Sequence, residues 1–192
     1  MNTKHIVHLY GASGAGTTTL GRYIANQLGY IHLDTDDFYW LPIEPKYTYK
    51  RPVEERLRLM KKEIEGDNGV VISGSLTGWG DVLIPYFTLA IHVVTDTNLR
   101  IKRLKHREYL SFGERILPGG DMFNNHQEFL TWASEYDTGD ATMRSKSCHD
   151  EWRKLLSCPF IEVDGSRELS YNYSLINTLL EVTNVKKEEG GW

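Results

Sequence analysis

From Gly11 to Thr19 the chain reads GASGAGTTT. Glycine lets a backbone turn its N–H groups inward, because no Cβ blocks the approach, and successive inward N–H groups form a nest for an anion. Gly11, Gly14 and Gly16 supply that freedom, with Ala12, Ser13 and Ala15 between them. A helix starting at Thr17 adds free N–H groups and the positive end of its dipole. The spacing follows G-x-x-x-x-G-K-[ST], in which the lysine reaches the terminal phosphates and the next hydroxyl binds Mg²⁺. Thr18 holds the hydroxyl position, Thr19 follows, and Thr17 stands where the lysine belongs. Losing a charge-assisted hydrogen bond worth about 1.5–3 kcal/mol weakens the grip by about one to two orders of magnitude unless another cation replaces it.

The second group is acidic. HLDTDDFYW carries Asp34, Asp36 and Asp37 at the end of an expected strand, and ligands of open α/β sheets bind beyond the carboxyl ends of strands. Strand alternation puts Asp34 and Asp36 on one side. One carboxylate then holds Mg²⁺ through water and the other accepts the proton of an attacking hydroxyl. The competing reading is a solvated acidic turn with Asp34 or Asp37 as a helix cap.

Cations come next. Arg100, Arg103 and Arg107 share a helix face at spacing i, i+3, i+7, although such a face is as often plainly solvated. Arg144 lies on a later expected helix and is placed to reach the same pocket. Guanidinium forks suit phosphate oxygens and developing charge. Arg51, with Tyr39, Trp40 and Trp79, is a candidate lining for an acceptor pocket, and Asp37 belongs with it. Trp79 reads equally well as packing under a Gly-rich loop. His126 and His149 have no evident partner, and Cys148-His149 with Cys158 lacks the fourth ligand and spacing of a zinc site.

Alternating elements must position these groups. HIVHLY (5–10) is a buried strand, and Leu20, Ile24 and Leu28 mark a helix closed by Gly29. YIHLD (30–34), GVVIS (69–73), TLAIHVV (88–94) and FIEV (160–163) are further strands, and β-helix-β order makes the first two parallel neighbours. Val53, Leu57, Met60 and Ile64 mark a helix after a long aromatic loop, 38–52. Helices follow from Asp96 or Thr97 as N-cap, then over 121–136, 140–156 and 168–183. The expectation is an α/β three-layer fold with a central parallel sheet of about five strands. It forms one domain, 1–184, with a frayed, flexible tail over 185–192.

A net charge of −4 argues against a general nucleic-acid binder. No apolar run has the length of a signal peptide or the roughly 18 residues of a membrane span. Two cysteines make no disulfide framework. A cytoplasmic protein, monomer or homodimer, is expected, with a nucleotide and a small molecule as its partners.

With the loop and LDTDD together, the chain resembles P-loop kinases of small metabolites and nucleotides. DTD is similar to the D-S-D of shikimate kinases, and DDFY resembles the D-[SD]-F-Y of uridine and nicotinamide riboside kinases. LDTDDFYWLP, KRPVEERL, SGSLTGWGD and PGGDMFNNHQEF are similar to bacterial adenylate kinase-like P-loop ATPases, over roughly residues 5–165. The resemblance implies a nucleoside-monophosphate-kinase-like fold with a helical lid over about 108–157. It implies that Asp36 contacts the acceptor hydroxyl, that Asp34 assists the metal, and that Arg103, Arg107 and Arg115 are lid arginines. The chain departs from the pattern at Thr17 and in VVISGS, which lacks the acid many P-loop proteins carry at a central strand end.

The leading function is an ATP-dependent phosphotransferase, or a GTP-dependent one, assisted by Mg²⁺. A nucleotide sensor without turnover is the alternative, motivated by the missing lysine. A sulfotransferase is a third reading: its loop ends G-T-T, but the lysine it needs before that glycine is absent.

Overall fold

IVHLYG is buried at every position and forms β1, Ile6–Gly11. A strand buried on both faces belongs at the centre of a covered sheet. The computed structural model describes residues 4–44 and 47–189, with side chains as far as residue 182. The other elements are α1 Thr17–Leu28, β2 Ile31–Asp34, α2 Thr35–Tyr39, α3 Val53–Glu65, β3 Val70–Ser73, β4 Leu89–Val94, α4 Thr97–Phe112, α5 Phe123–Ser134, α6 Lys146–Arg153, β5 Phe160–Asp164 and α7 Leu169–Glu189. Short 3₁₀ turns cover Asp81–Tyr86, Gly113–Ile116 and Glu135–Asp137.

The sheet order is β2-β3-β1-β4-β5 and every pairing is parallel. β1 and β2 are therefore not neighbours, contrary to expectation. The crossover through α1 spans one strand position, and β3 fills it, aligned Asp34 with Ser73 and Leu9 with Ser73. α1 rides over β3, so its first turn still reaches the end of β2.

Period-two alternation sends Val7 and Leu9 to one face, under Leu20 and Ile24 of α1 and Ile176 and Leu180 of α7. Ile6 and Tyr10 face the other side, with Met60 and Ile64 of α3, Leu83 and Trp152. These two cores make the three layers. Truncating a fully buried residue such as Ile24 to Ala costs about 2–5 kcal/mol. A third cluster, Leu104, Leu130 and Ala133, packs α5 on α4.

α1 ends as expected, with Gly29 at φ 68 and its N–H on Ala25 O. Asp96 caps α4 by accepting from the N–H groups of Asn98 and Leu99. The acidic stretch differs. β2 stops at Asp34, whose side chain accepts from Asp36 N and starts α2. Asp36 and Asp37 then lie in a helical first turn, where the dipole favours acids, so strand alternation does not relate Asp34 to Asp36. Phe38 and Tyr39 close α2 instead of opening a loop, and Trp40 bridges Lys50. Pro45 and Lys46 of that stretch lie outside the described residues.

α6 is shorter than the expected 140–156, because residues 141–145 form a turn that Ser145 ends as N-cap. α7 continues through most of the expected tail to Glu189; 190–192 lie outside the described residues. No helix among the described residues is long and apolar enough to cross a membrane.

Candidate active site

The glycine loop joins β1 to α1 at the carboxyl edge of the sheet. Gly14 and Gly16 have φ of 79 and 103, in the left-handed region, which L side chains adopt at a cost. A Cβ on Gly14 would also come 2.7 Å from Arg100 O. The loop's carbonyl groups are tied down from outside. Thr95 Oγ1 donates to Ala15 O at 2.9 Å. Arg103 Nη1 donates to Gly14 O and Ala15 O at 3.4 and 3.3 Å, and its Nη2 to Gly165 O at 3.0 Å. Arg100 Nη1 reaches Ser13 O at 3.4 Å. Holding the carbonyls on one side leaves the other to the N–H groups, the geometry of an anion nest. Thr17 opens α1 at the mouth of this nest, half-buried, with Thr19 exposed beyond it.

Thr18 Oγ1 donates to Asp34 Oδ2 at 2.9 Å. A hydroxyl and a carboxylate thus converge beside the nest, hard oxygen donors of the kind Mg²⁺ accepts while keeping several waters. That donor set fits the ion. Groups of three or more His, Cys, Asp or Glu able to hold a metal do not occur among the described residues; an ion held by Thr18 and Asp34 would take its other ligands from water and phosphate oxygens.

Asp36 is an exposed residue in the first turn of α2. The protein around its carboxyl group displaces water and raises its pKa above the ordinary carboxylate value, and Asp34's charge raises it further. The guanidinium groups of Arg144 and Arg107 pull the other way. Asp36 therefore belongs to a small field of three acids, Asp34, Asp36 and Asp37, and two arginines.

The candidate arginines separate sharply. Arg144 Nη2 donates to Ser13 Oγ at 2.9 Å, and its guanidinium lies 4.8 Å from the Trp132 ring centre. This brings a cation directly onto the loop that lacks its lysine. Arg107 is 60% exposed and lies 3.6 Å from Glu108. Arg103 sits beneath the loop rather than over it. Arg115 is bound in a bidentate pair to Asp121, at 2.9 and 2.7 Å, and is absent from the charges acting on Asp36. Arg100 is completely buried, donating to Thr95 O at 3.1 Å, Ala133 O at 3.0 Å and Asp137 Oδ2 at 2.9 Å.

On the expected acceptor side, Arg51 binds the backbone of α2 and Glu55. Its Nε donates to Phe38 O and its Nη1 to Glu55 Oε1, both at 3.0 Å. Nη2 reaches Asp37 O at 3.5 Å, a contact with the backbone and not with the carboxylate. Tyr39 and Trp79 do meet, edge to face at 6.1 Å. The cation between them is Arg56, 3.8 Å from the Tyr39 ring centre and 5.4 Å from that of Trp79. Its signal was readable: Arg56 stands on the stripe Arg56, Met60, Ile64 that α3 buries.

His149 proves well partnered. Tyr136 Oη lies 2.7 Å from its Nδ1, and Ser75 Oγ 3.1 Å from its Nε2. Burial holds its pKa down at about 3, so the ring is neutral at pH 7 and acts as a strut between α6 and the loop after β3. His126 Nδ1 lies 3.8 Å from Glu108.

Similarity to known proteins follows these features. No family model matches the chain. Among solved structures, the fold is shared with the gluconokinase from Sinorhizobium meliloti 1021, at TM-score 0.55 and 14% identity, covering 100% of both chains. Shikimate kinase from Bacteroides thetaiotaomicron matches at TM-score 0.54 and 15% identity, over 92% of this chain and 98% of that one. Shikimate kinase from Acinetobacter baumannii, in complex with shikimate, matches at 0.52 and 16%, over 95% and 96%. The architecture is thus the three-layer α/β P-loop NTPase fold. In sequence, the chain is 39% identical over 161 residues to "Uncharacterized protein YqaC" of Bacillus subtilis (strain 168), a stretch that makes up 84% of this chain and 89% of that protein. By that identity and coverage, the chain belongs to the family of YqaC.

Proposed function

We propose that the protein is an ATP-dependent phosphotransferase, with GTP as the alternative donor, acting on a hydroxyl of a small metabolite, nucleoside or nucleotide. The likeness in fold to a gluconokinase and two shikimate kinases supports a small-molecule kinase. The observation that carries the reading is Arg144 on Ser13 Oγ at 2.9 Å, a guanidinium at a phosphate loop whose lysine position holds Thr17.

The triphosphate lies in the nest from Gly11 to Thr19. Thr18 and Asp34 are the residues that hold Mg²⁺, which neutralises phosphate charge when bound. Asp36 takes the proton of the acceptor hydroxyl as its oxygen forms a bond to the terminal phosphorus and the bond to the leaving diphosphate breaks. A carboxylate with a raised pKa is a stronger base than a free one. Arg144 and Arg107 stabilise charge on the transferring group. In this reading the helical lid spans about residues 108–157 and carries α5 and α6. Arg103 acts on the nucleotide through the loop it supports, and Arg115 reaches it only by leaving Asp121.

Release of ADP from ATP, or of GDP from GTP, over a panel of hydroxylated metabolites, with and without Mg²⁺, tests the reading. Transfer to any member supports it and removes the sensor alternative. Nucleotide binding without transfer to any member would favour the sensor.

A further inference from the structure

We infer a second binding site, in the cavity between α4 and α5, for a small organic anion with an aromatic or aliphatic body.

α4 and α5 touch at Leu104, Leu130 and Ala133. Beside that contact lies a cavity of about 650 Å³, which Ile116 and Leu117 of the following turn also line. Small-molecule sites run to about 300–1,000 Å³. On α4 the lining residues are Ile101, Lys105 and Tyr109, four apart and so on one face. Arg103, which supports the phosphate loop, stands two residues from Ile101 and from Lys105, about 200° round the helix. The cavity thus opens on the side of α4 away from the loop. No residue of Gly11–Thr19 lines it, nor do Asp34, Asp36, Arg107 or Arg144.

Most of the wall is apolar, and part of it is wet: Tyr109 and Leu117 are 49% and 42% exposed. An apolar body lying against them would remove that surface from water. Two nitrogen-bearing side chains stand in the same wall. His126 is 7% exposed, and its Nδ1 is buried without a hydrogen-bond partner. Glu108, at 3.8 Å, is too distant to be one. Nε2 makes no hydrogen bond among the described residues either, yet it is not among the buried atoms without partners, so it is the nitrogen that a ligand reaches. A buried imidazole with no partner is costly, and a ligand oxygen offsets that cost. Lys105 is exposed and forms no ion pair or hydrogen bond among the described residues. An ammonium and an imidazole beside an apolar wall match an anion carried on an apolar body, and both bond a carboxylate or a phosphate.

Calorimetry on the full chain tests this with two sets of probes. One is 1-naphthaleneacetate, 1-naphthyl phosphate and 2-(1-naphthyl)ethanol; the other is octanoate, octyl phosphate and octanol. In at least one set an anion is expected to bind about 10- to 100-fold tighter than the alcohol. A leading carboxylate or a leading phosphate identifies the anion. Lys105→Met is expected to remove most of the margin. Thr131→Trp, at an exposed position that lines the cavity, is expected to fill it and abolish binding of every probe. Both variants keep the native melting temperature. Three results overturn the inference: no anion binds in either set, the alcohols bind as well as the anions, or binding survives Thr131→Trp, which places the anion elsewhere, as on the phosphate loop. A native dimer that Thr131→Trp dissolves also overturns it, because a second copy then covers the cavity.

Discussion

The floor beneath the phosphate loop and the mouth above it use the same residue types in opposite ways. In the floor, Arg100 and Arg103 spend their N–H groups on backbone carbonyls and on Asp137. In the mouth, Arg144 and Arg107 act on an Asp36 whose ionisation the site opposes, and Arg56 has no acidic partner among the described residues. Arg100 and Arg107 stand on one helix, two turns apart, yet one is fully buried and the other 60% exposed. A satisfied network fixes geometry, whereas an unsatisfied one stores affinity for a ligand that completes it. Stability and chemistry are therefore expected to respond to different substitutions.

The largest effect belongs to the mouth. Asp36→Asn is expected to lower transfer by about 10²–10⁴-fold, the range of a general base, with a melting temperature equal to or above that of the native chain. The sign follows from linkage: a carboxyl group with a raised folded pKa binds its proton more firmly when folded, so its ionisation costs stability at neutral pH. That difference between Asp36→Asn and native closes as pH falls through the raised pKa. The native rate falls over the same interval, with a midpoint above the ordinary carboxylate value. A pH–rate profile beside a pH–melting profile checks both.

Arg100→Met inverts the pattern. Leaving Thr95 O and Ala133 O without their donor is expected to cost about 2–5 kcal/mol in denaturant unfolding. Arg144→Met comes next, with a drop of about 10- to 100-fold in transfer rate and little change in melting. Arg115→Met is the smallest: an exposed pair with Asp121 is expected to shift the rate by less than about threefold. A large rate loss from Arg115→Met would show that it leaves Asp121 during the reaction, and would blur the boundary between the two regions.

Much of this was legible in the sequence. Hydrophobic runs placed all five strands, and Gly29 and Asp96 marked the helix ends they cap. The sheet order was not, because only a later strand, β3, decides whether β1 and β2 touch. Strand alternation carried two residues too far, to Asp36, obscured the turn into α2, whereas the helix cap at Asp34 in the competing reading is what the structure shows. Periodicity put Arg100, Arg103 and Arg107 on one face but carries no information on where along the axis the loop's carbonyls begin. Arg51 was the arginine placed with the aromatics, and Arg56, which lies on the stripe that α3 buries, was not considered.

The central claim is that Arg144 supplies the charge missing at position 17. Its most direct test is a double-mutant cycle of Thr17→Lys and Arg144→Met, read as phosphoryl transfer rate and ATP affinity. The expected result is strong coupling: Thr17→Lys changes the native chain little, yet restores most of the roughly 10- to 100-fold lost in Arg144→Met. If Thr17→Lys has the same effect in both backgrounds, the two positions act independently, and Arg144 does not stand in for the lysine.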